Sequence, residues 1–239
     1  MDLKEQQLLG DDPLAHWYYR AKALAMDRYL RGVKFQTVID VGAGSGVFSR
    51  YLVETGRASR AICVDPFYQH EHSEELPGGS IDFRRRYHGT PAGLMLLMDV
   101  LEHVDDDREM LSGYVRQAQP GAAFLITVPA FEFLWSAHDE YLRHKRRYTR
   151  RQLLSVVDAS GLAVEQAGYF YASVFPIAAA LRLVRRLTGR KAEPASQLRR
   201  HSPLVNGLLW GMCRAELPLL KVNRLFGLTV FCLARKPLR

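Results

Sequence analysis

The stretch Val38-Ile-Asp-Val-Gly-Ala-Gly-Ser-Gly-Val47 decides the fold that we predict for this chain of 239 residues. Its β-branched, apolar start over residues 37–41 predicts a buried strand, and residues 47–53 predict a helix. Between them, glycines at positions 42, 44 and 46 let the backbone turn and approach a ligand closely. The order of strand, glycine turn and helix therefore predicts a ligand-binding α/β domain.

Further apolar runs extend this unit into a Rossmann-like, doubly wound α/β sheet. Seven strands are expected, at residues 37–41, 61–64, 80–83, 94–98, 122–128, 164–170 and 229–233. Because these strands alternate with amphipathic helices, we expect parallel pairing with helices on both faces. Ligands bind such sheets beyond the carboxyl ends of the strands, where Gly42, Asp65, Asp99 and Pro129 fall.

The length suits a single domain, residues 1–239, with one α/β core and an appendage. We divide it into an N-terminal helical lid (1–34), a cofactor-binding core (35–170), a helical insertion (171–227) and a final strand (228–239). Three widely spaced cysteines indicate neither a disulfide framework nor a cysteine zinc site. The polar N-terminus does not resemble a signal peptide, so a cytoplasmic location is expected.

The glycine spacing argues against a nicotinamide dinucleotide as the ligand. Such a fingerprint would place its third glycine at position 47, which is valine here. That glycine permits tight packing of helix on strand beneath a pyrophosphate. A turn with glycines at alternate positions, preceded by Asp40, instead suits a cofactor without phosphates.

These residues resemble the motifs of class I S-adenosylmethionine-dependent methyltransferases. Residues 38–47 are similar to the first motif, Asp65 to the acid that holds both ribose hydroxyls, and Met98-Asp-Val-Leu-Glu-His-Val104 to the segment after strand four. The resemblance implies S-adenosylmethionine as the cofactor. The residues expected to bind it are Asp40, Val41, Gly42, Ala43, Gly44, Gly46, Asp65, Pro66, Asp99 and Val100. The alternatives are a glycine turn that serves packing only, or a non-catalytic binding module of the same fold.

Segments outside the core resemble bacterial methyltransferases of glycan and lipid-linked sugar pathways. These are His16-Trp-Tyr-Tyr-Arg20 and the segments 133–148 and 227–237. We expect an anionic or lipid-linked small molecule as acceptor, with a saccharide preferred and with oxygen, or alternatively nitrogen, as the methylated atom. Trp17 is expected to close over the cofactor as part of the lid, or to pack a helix onto the sheet.

Four side chains are candidates for the acceptor site. They are His103, His138, His144 and Tyr148. Methyl transfer depends on the alignment of donor and acceptor, and a hydroxyl acceptor must also lose its proton to a base. His103 is the first candidate for this base because it follows the fourth strand; a buried structural histidine is the alternative.

A divalent metal ion is a further alternative. Asp99-x-x-Glu102-His103 resembles the ExxEH pattern of metal-assisted O-methyltransferases, such as those of ubiquinone synthesis. With His138 or His144, this set offers carboxylates and imidazoles that would orient a diol and lower its pKa. Asp99 stands where the pattern has a glutamate and has a shorter reach, so no metal is included among the expected cofactors.

Charge is divided unevenly along the chain. Residues 1–140 carry 14 Lys and Arg against 21 Asp and Glu, whereas residues 141–239 carry 19 against 4. We therefore expect the second part to meet phospholipid head groups, a phosphorylated substrate or nucleic acid. Nucleic acid is disfavoured because the basic insertion lacks interleaved aromatic residues. An amphipathic helix from Ile177 onward is expected to lie on an anionic membrane surface, or to cap the sheet or a second subunit.

Overall fold

The computed structural model describes residues 12–188, 196 and 201–238. The strands of these residues are β1 (Phe35–Val41), β2 (Ala58–Val64), β3 (His72–Leu76), β4 (Gly79–Arg84), β5 (Leu94–Met98), β6 (Ala123–Pro129), β7 (Ala163–Phe170) and β8 (Thr229–Arg235). The α-helices are α1 (Trp17–Leu30), α2 (Val47–Glu54), α3 (Asp107–Gln117), α4 (Ala137–Leu142), α5 (Arg150–Ala159), α6 (Phe175–Thr188) and α7 (Pro203–Glu216). Short 3-10 turns occur at Pro13–Ala15, Leu101–His103, Glu132–Leu134 and Leu217–Leu219.

The strands form one mostly parallel sheet with the order β3-β4-β2-β1-β5-β6-β8-β7. Strand β8 is antiparallel to both of its neighbours, and β3 is antiparallel to β4. All seven predicted strands are present, which confirms the α/β class. The predicted number is corrected to eight, since β3 was missed: its sequence, His-Ser-Glu-Glu-Leu, is polar and no residue of it is buried.

Helices cover both faces of the sheet, as predicted for a doubly wound fold. Successive residues of β1 point to opposite faces, because the side-chain period of a strand is two. Val38 packs in the layer beneath α1, α2 and α7, and Ile39 packs in the layer beneath α3 and α5. The carboxyl ends of the parallel strands therefore open between two rigid layers.

The two appendages flank this opening. Helix α1 is followed by Arg31 and Gly32, whose φ angles of 53° and 73° suit the left-handed end of a helix. Helices α6 and α7 lie between β7 and β8, where the helical insertion was predicted. Residues 1–11 of the predicted lid and residues 189–195 and 197–200 of the predicted insertion lie outside the described residues. None of the helices in the described ranges has the length and apolar content of a membrane span.

Candidate active site

The glycine turn follows β1 directly and depends on glycine for its shape. Gly42, Gly44 and Gly46 have φ angles of 62°, 52° and 69°, which strain any other residue. A Cβ atom on Gly42 would also lie 2.9 Å from Cγ2 of Val100. The Gly42 amide donates a hydrogen bond to the carbonyl of Val64, at 2.7 Å, so the turn is fixed against the end of β2.

Asp65 stands at the end of β2, beside this turn. Its Oδ1 accepts a hydrogen bond from the amide of Phe67 at 2.9 Å, and its Oδ2 accepts one from the amide of Gly44 at 3.1 Å. The Tyr68 hydroxyl donates to the carbonyl of Gly44 at 2.7 Å and holds the turn in place. A carboxylate oxygen has room for a second donor, so both oxygens of Asp65 can still accept hydrogen bonds from a ligand.

A cavity of about 1200 Å³ opens beyond the carboxyl ends of the strands. Small-molecule sites usually measure about 300–1,000 Å³, so this cavity has room for a cofactor and a second ligand. The part of its lining that we call the cofactor side consists of Trp17, Val41, Gly42, Asp65, Pro66, Asp99 and Val100. The part that we call the acceptor side consists of Glu102, His103, His138, Arg143, His144, Arg147 and Arg182.

Four residues predicted to bind the cofactor stand behind this lining. They are Asp40, Ala43, Gly44 and Gly46. The carboxylate of Asp40 is buried and accepts a hydrogen bond from the Ser49 hydroxyl at 2.8 Å. Burial raises the pKa of Asp40 to about 6. Asp40 therefore ties the start of α2 to β1, and its contact with a cofactor stays a prediction.

Asp99, directly after β5, is paired with a lysine that the sequence reasoning missed. Lys22 of α1 is fully buried and forms an ion pair with Asp99 Oδ2, while the Thr127 hydroxyl donates to Oδ1 at 2.9 Å. Burial lowers the pKa of Lys22, but the Asp99 charge outweighs it and holds the pKa above its ordinary value. The available signal was the sequence spacing: Lys22 lies four residues after Tyr18, which places both side chains on one face of a helix in the predicted lid.

Aromatic side chains of α1 complete the cofactor side. Trp17 lines the cavity and packs edge-on against Tyr171, with ring centroids 5.8 Å apart. The Tyr171 ring stacks on Tyr18 at 5.0 Å, and its hydroxyl donates to the carbonyl of Tyr18 at 2.6 Å. Trp17 thus faces the cavity and also packs the helix against the end of β7; its closure as a lid stays a prediction.

Three predicted histidines come together on the acceptor side. The ring centroid of His144 lies 4.7 Å from that of His103 and 6.5 Å from that of His138. Burial is the main cause that lowers the pKa of His138, to about 4, so this imidazole is neutral at pH 7. The spacing of these rings places several proton-accepting nitrogens along one wall of the cavity.

Asp139 orients this group, and the sequence reasoning did not single it out. Its fully buried carboxylate bonds Nδ1 of His144 at 2.9 Å and accepts from Nε and Nη2 of Arg147 at 2.7 and 3.0 Å. The amide and hydroxyl of Ser136 also donate to it. Burial raises the pKa of Asp139, but the bonds from His144 and Arg147 outweigh it and bring the pKa well below its ordinary value.

Glu102 is buried beside the same histidines. Neither of its carboxylate oxygens has a hydrogen-bond partner among the described residues, and burial raises its pKa well above the ordinary value. Glu102, His103 and His144 each place one potential metal-ligand atom within 4.8 Å of the others. Asp99, the remaining member of the predicted ligand set, is not in this group, and its carboxylate bonds Lys22 and Thr127 instead.

Tyr148 lies outside the cavity lining, contrary to its predicted place in the acceptor site. Its hydroxyl is buried and donates to Oδ2 of Asp107 at 2.7 Å. It also lies 3.2 Å from the carbonyl of Leu101. Tyr148 therefore anchors the segment that follows α4 to the start of α3, and this anchoring is a structural role.

The fold and this site define a class I methyltransferase. Residues 14–167 match the model of a family described as a methyltransferase domain, and the chain belongs to this family. The predicted S-adenosylmethionine-dependent methyltransferase is thereby confirmed. No protein with curated annotation matches the chain.

Solved structures share the fold at low sequence identity. An S-adenosylmethionine-dependent methyltransferase from Archaeoglobus fulgidus matches with a TM-score of 0.53 and 18% identity, over 98% of each chain. Phosphoethanolamine N-methyltransferase 2 from Haemonchus contortus, in complex with S-adenosyl-L-methionine, matches with a TM-score of 0.58 and 15% identity, over 97% of this chain and 56% of that protein's chain. N-methyltransferase NodS from Bradyrhizobium japonicum WM9, in complex with S-adenosyl-L-homocysteine, matches with a TM-score of 0.50 and 11% identity, over 96% of this chain and 90% of that protein's chain. At these identities the likeness concerns the fold alone.

Proposed function

We propose that this methyltransferase transfers the methyl group of S-adenosylmethionine to an oxygen atom of an anionic or lipid-linked small molecule, with a saccharide preferred. The observation that carries the proposal is that Asp65 and Gly42 of the glycine turn line the same cavity as the three histidines of the acceptor side. The basic residues of the acceptor side, Arg143, Arg147 and Arg182, favour an acceptor that carries negative charge.

The cofactor side would hold S-adenosylmethionine through groups that are already in place. Both oxygens of Asp65 would accept hydrogen bonds from the ribose hydroxyls, and the backbone at Gly42 allows close approach. When bound, the cofactor supplies a methyl carbon activated by a positively charged sulfur. Because this carbon is already activated, the protein contributes mainly by alignment of the acceptor and by removal of its proton.

His144 is the base that the geometry favours, ahead of the first sequence candidate, His103. The hydrogen bond to Asp139 assigns the proton of the neutral ring to Nδ1, which leaves Nε2 to accept the acceptor's hydroxyl proton. With its proton held on His144, the acceptor oxygen would be free to take the methyl group that the bound cofactor supplies. His103, whose ring meets that of His144 edge to face, would position the acceptor.

Calorimetric titration of S-adenosylmethionine and S-adenosylhomocysteine tests the cofactor side. We expect binding by the wild type and a loss of at least about 100-fold in affinity for Asp65→Ala, since each of the two hydrogen bonds to the charged carboxylate contributes roughly 1.5–3 kcal/mol. Asp158→Ala, which removes an exposed carboxylate of α5, is the matched control and should bind normally. Absence of binding by the wild type would refute the proposed function.

Metal-assisted O-methylation of a diol is the second candidate, favoured by the carboxylate of Glu102, for which the described part of the chain offers no hydrogen-bond partner. One carboxylate and two imidazoles, from Glu102, His103 and His144, suit a divalent transition-metal ion. Such an ion would lower the pKa of a bound hydroxyl and replace the base. Metal analysis separates the candidates: this one requires about one ion per chain, lost in Glu102→Gln together with activity.

The exposed face of α6 supports the lipid-linked form of the acceptor. Ile177, Leu181, Val184 and Leu187 are all more than half exposed, and Arg185 and Arg186 are exposed beside them. We infer that this face lies on an anionic bilayer, which would receive both its apolar and its basic side chains. Sedimentation with phosphatidylglycerol vesicles tests this; Leu181→Ser should weaken binding, whereas Leu225→Ser, outside α6, should not.

A further inference from the structure

Helix α6 turns one charged residue toward the cavity. Phe175, Ala178, Ala179 and Arg182 are its half-buried residues, and their spacing of three, four and seven places them on one face. The helix is exposed along its other faces. Arg182 is therefore set apart from Arg185 and Arg186, because it lines the cavity while they face solvent.

Arg182 is held in this position by the segment that follows β6. Its Nε donates a hydrogen bond to the carbonyl of Leu134 at 3.1 Å, and Leu134 lines the cavity too. Arg147 and Arg143 belong to the same lining. Two separate parts of the chain, α6 and the region around α4, thus bring three guanidinium groups to one wall.

One carboxylate, that of Asp139, offsets the charge of Arg147 and part of the charge of Arg182. Asp139 is already bonded to Arg147, His144 and Ser136, and Arg143 forms no ion pair within the described part of the chain. Burial lowers the pKa of Arg182, and the charges of Arg147 and Arg185 lower it further. The positive charges of Arg147 and Arg182 therefore repel each other despite Asp139, and a bound anion would relieve this repulsion.

We propose that Arg182, Arg147 and Arg143 bind a phosphate group of the methyl acceptor. The inference rests on the proposed function and narrows it from anionic acceptors to phosphate esters. Guanidinium groups present paired N–H donors that match phosphate oxygens, and several of them suit a group with more than one negative charge. The neighbouring wall is apolar, formed by Leu134, Val174 and Ala178, and is suited to a hydrocarbon part of the same molecule.

The subsite also lies within reach of the proposed base. His138 and His144 line the same wall, and the charges of Arg147 and Arg182 act on His138. A phosphate held by the arginines would therefore fix one end of the acceptor while a hydroxyl farther along it meets His144. Arg182 acts here as a specificity-determining residue supplied by the helical insertion.

Calorimetric titration of inorganic pyrophosphate tests the subsite, both with and without saturating S-adenosylhomocysteine. We expect the wild type to bind pyrophosphate more tightly than acetate, and Arg182→Met to weaken it about tenfold or more, as loss of a charge-assisted hydrogen bond implies. Arg186→Met removes the same charge from an exposed position of the same helix and should change affinity less than about twofold. Circular dichroism melts of both variants establish that they are folded.

The outcomes separate this inference from the proposed function. If Arg182→Met and Arg186→Met weaken pyrophosphate binding equally, the binding reflects general charge attraction. That result would overturn the proposed subsite. Absence of pyrophosphate binding by the wild type, with normal binding of S-adenosylhomocysteine, would overturn the subsite and leave the proposed cofactor side standing. If the wild type does not bind S-adenosylhomocysteine at all, this result would instead refute the proposed function.

Discussion

The two sides of the cavity are held in place by different kinds of interaction. The cofactor side consists largely of backbone at strand ends, where Gly42 bonds the carbonyl of Val64 and Asp65 accepts from two nearby amides. The acceptor side consists of charged side chains that position one another, with Asp139 at their centre. We therefore expect that changes on the acceptor side can alter the substrate while the cofactor still binds.

The largest expected effect is a fall in kcat caused by a substitution on the acceptor side alone. His144→Gln removes the proposed base, and general-base catalysis contributes about 10²–10⁴-fold, so kcat should fall by that factor. Affinity for S-adenosylmethionine should stay unchanged because the cofactor side is intact. The measurement is transfer of labelled methyl to an acceptor selected by screening, alongside calorimetry.

Asp139→Asn is the companion variant for this prediction. It keeps the size of the side chain but weakens the bond that orients His144, so it should lower kcat with a smaller effect on the KM for S-adenosylmethionine. Equal activity of His144→Gln and wild type would show that His144 is not the base, and His103 would then be the next candidate.

The next effect concerns the link between α1 and the sheet. Lys22→Met leaves the Asp99 carboxylate without its positively charged partner, and removal of one member of a buried ion pair costs about 3–5 kcal/mol. Asp99 is 31% exposed toward the cavity, so we expect about 3 kcal/mol, measured by urea unfolding. The double variant Lys22→Met with Asp99→Asn should recover part of this loss; no recovery would mean that Lys22 acts through packing alone.

The same contrast explains how much of the site was predictable from the sequence. The glycine turn and Asp65 were found because each lies directly after an apolar strand, within 30 residues of the chain. Lys22 and Asp99 are 77 residues apart, and only the folded α1 brings them together. Arg182 was not singled out, because the sequence of an amphipathic helix does not tell which of its faces turns inward when the surrounding core is unknown.

The fold divides in a similar way. Strands such as β5, whose five residues are all buried, have an apolar pattern that identifies them directly. Strand β3 has no such pattern, because it lies at the edge of the sheet and pairs only with β4. Its position depends on the β4 backbone and on polar contacts such as the bond from the Ser73 hydroxyl to Asp82.

The smallest predicted effect comes from a comparison of two glycines, one in the cofactor side and one outside it. Gly42 and Gly56 both have positive φ angles, 62° and 66°, so alanine at either should cost about 1 kcal/mol in stability from backbone strain. A Cβ atom at Gly42 meets Val100 at 2.9 Å, whereas one at Gly56 meets nothing within 4 Å. Gly42→Ala should therefore also weaken S-adenosylhomocysteine binding, since relief of the contact moves the turn, and Gly56→Ala should bind normally. Equal binding by both variants would mean that the turn tolerates displacement, and that Asp65 rather than backbone shape determines cofactor affinity.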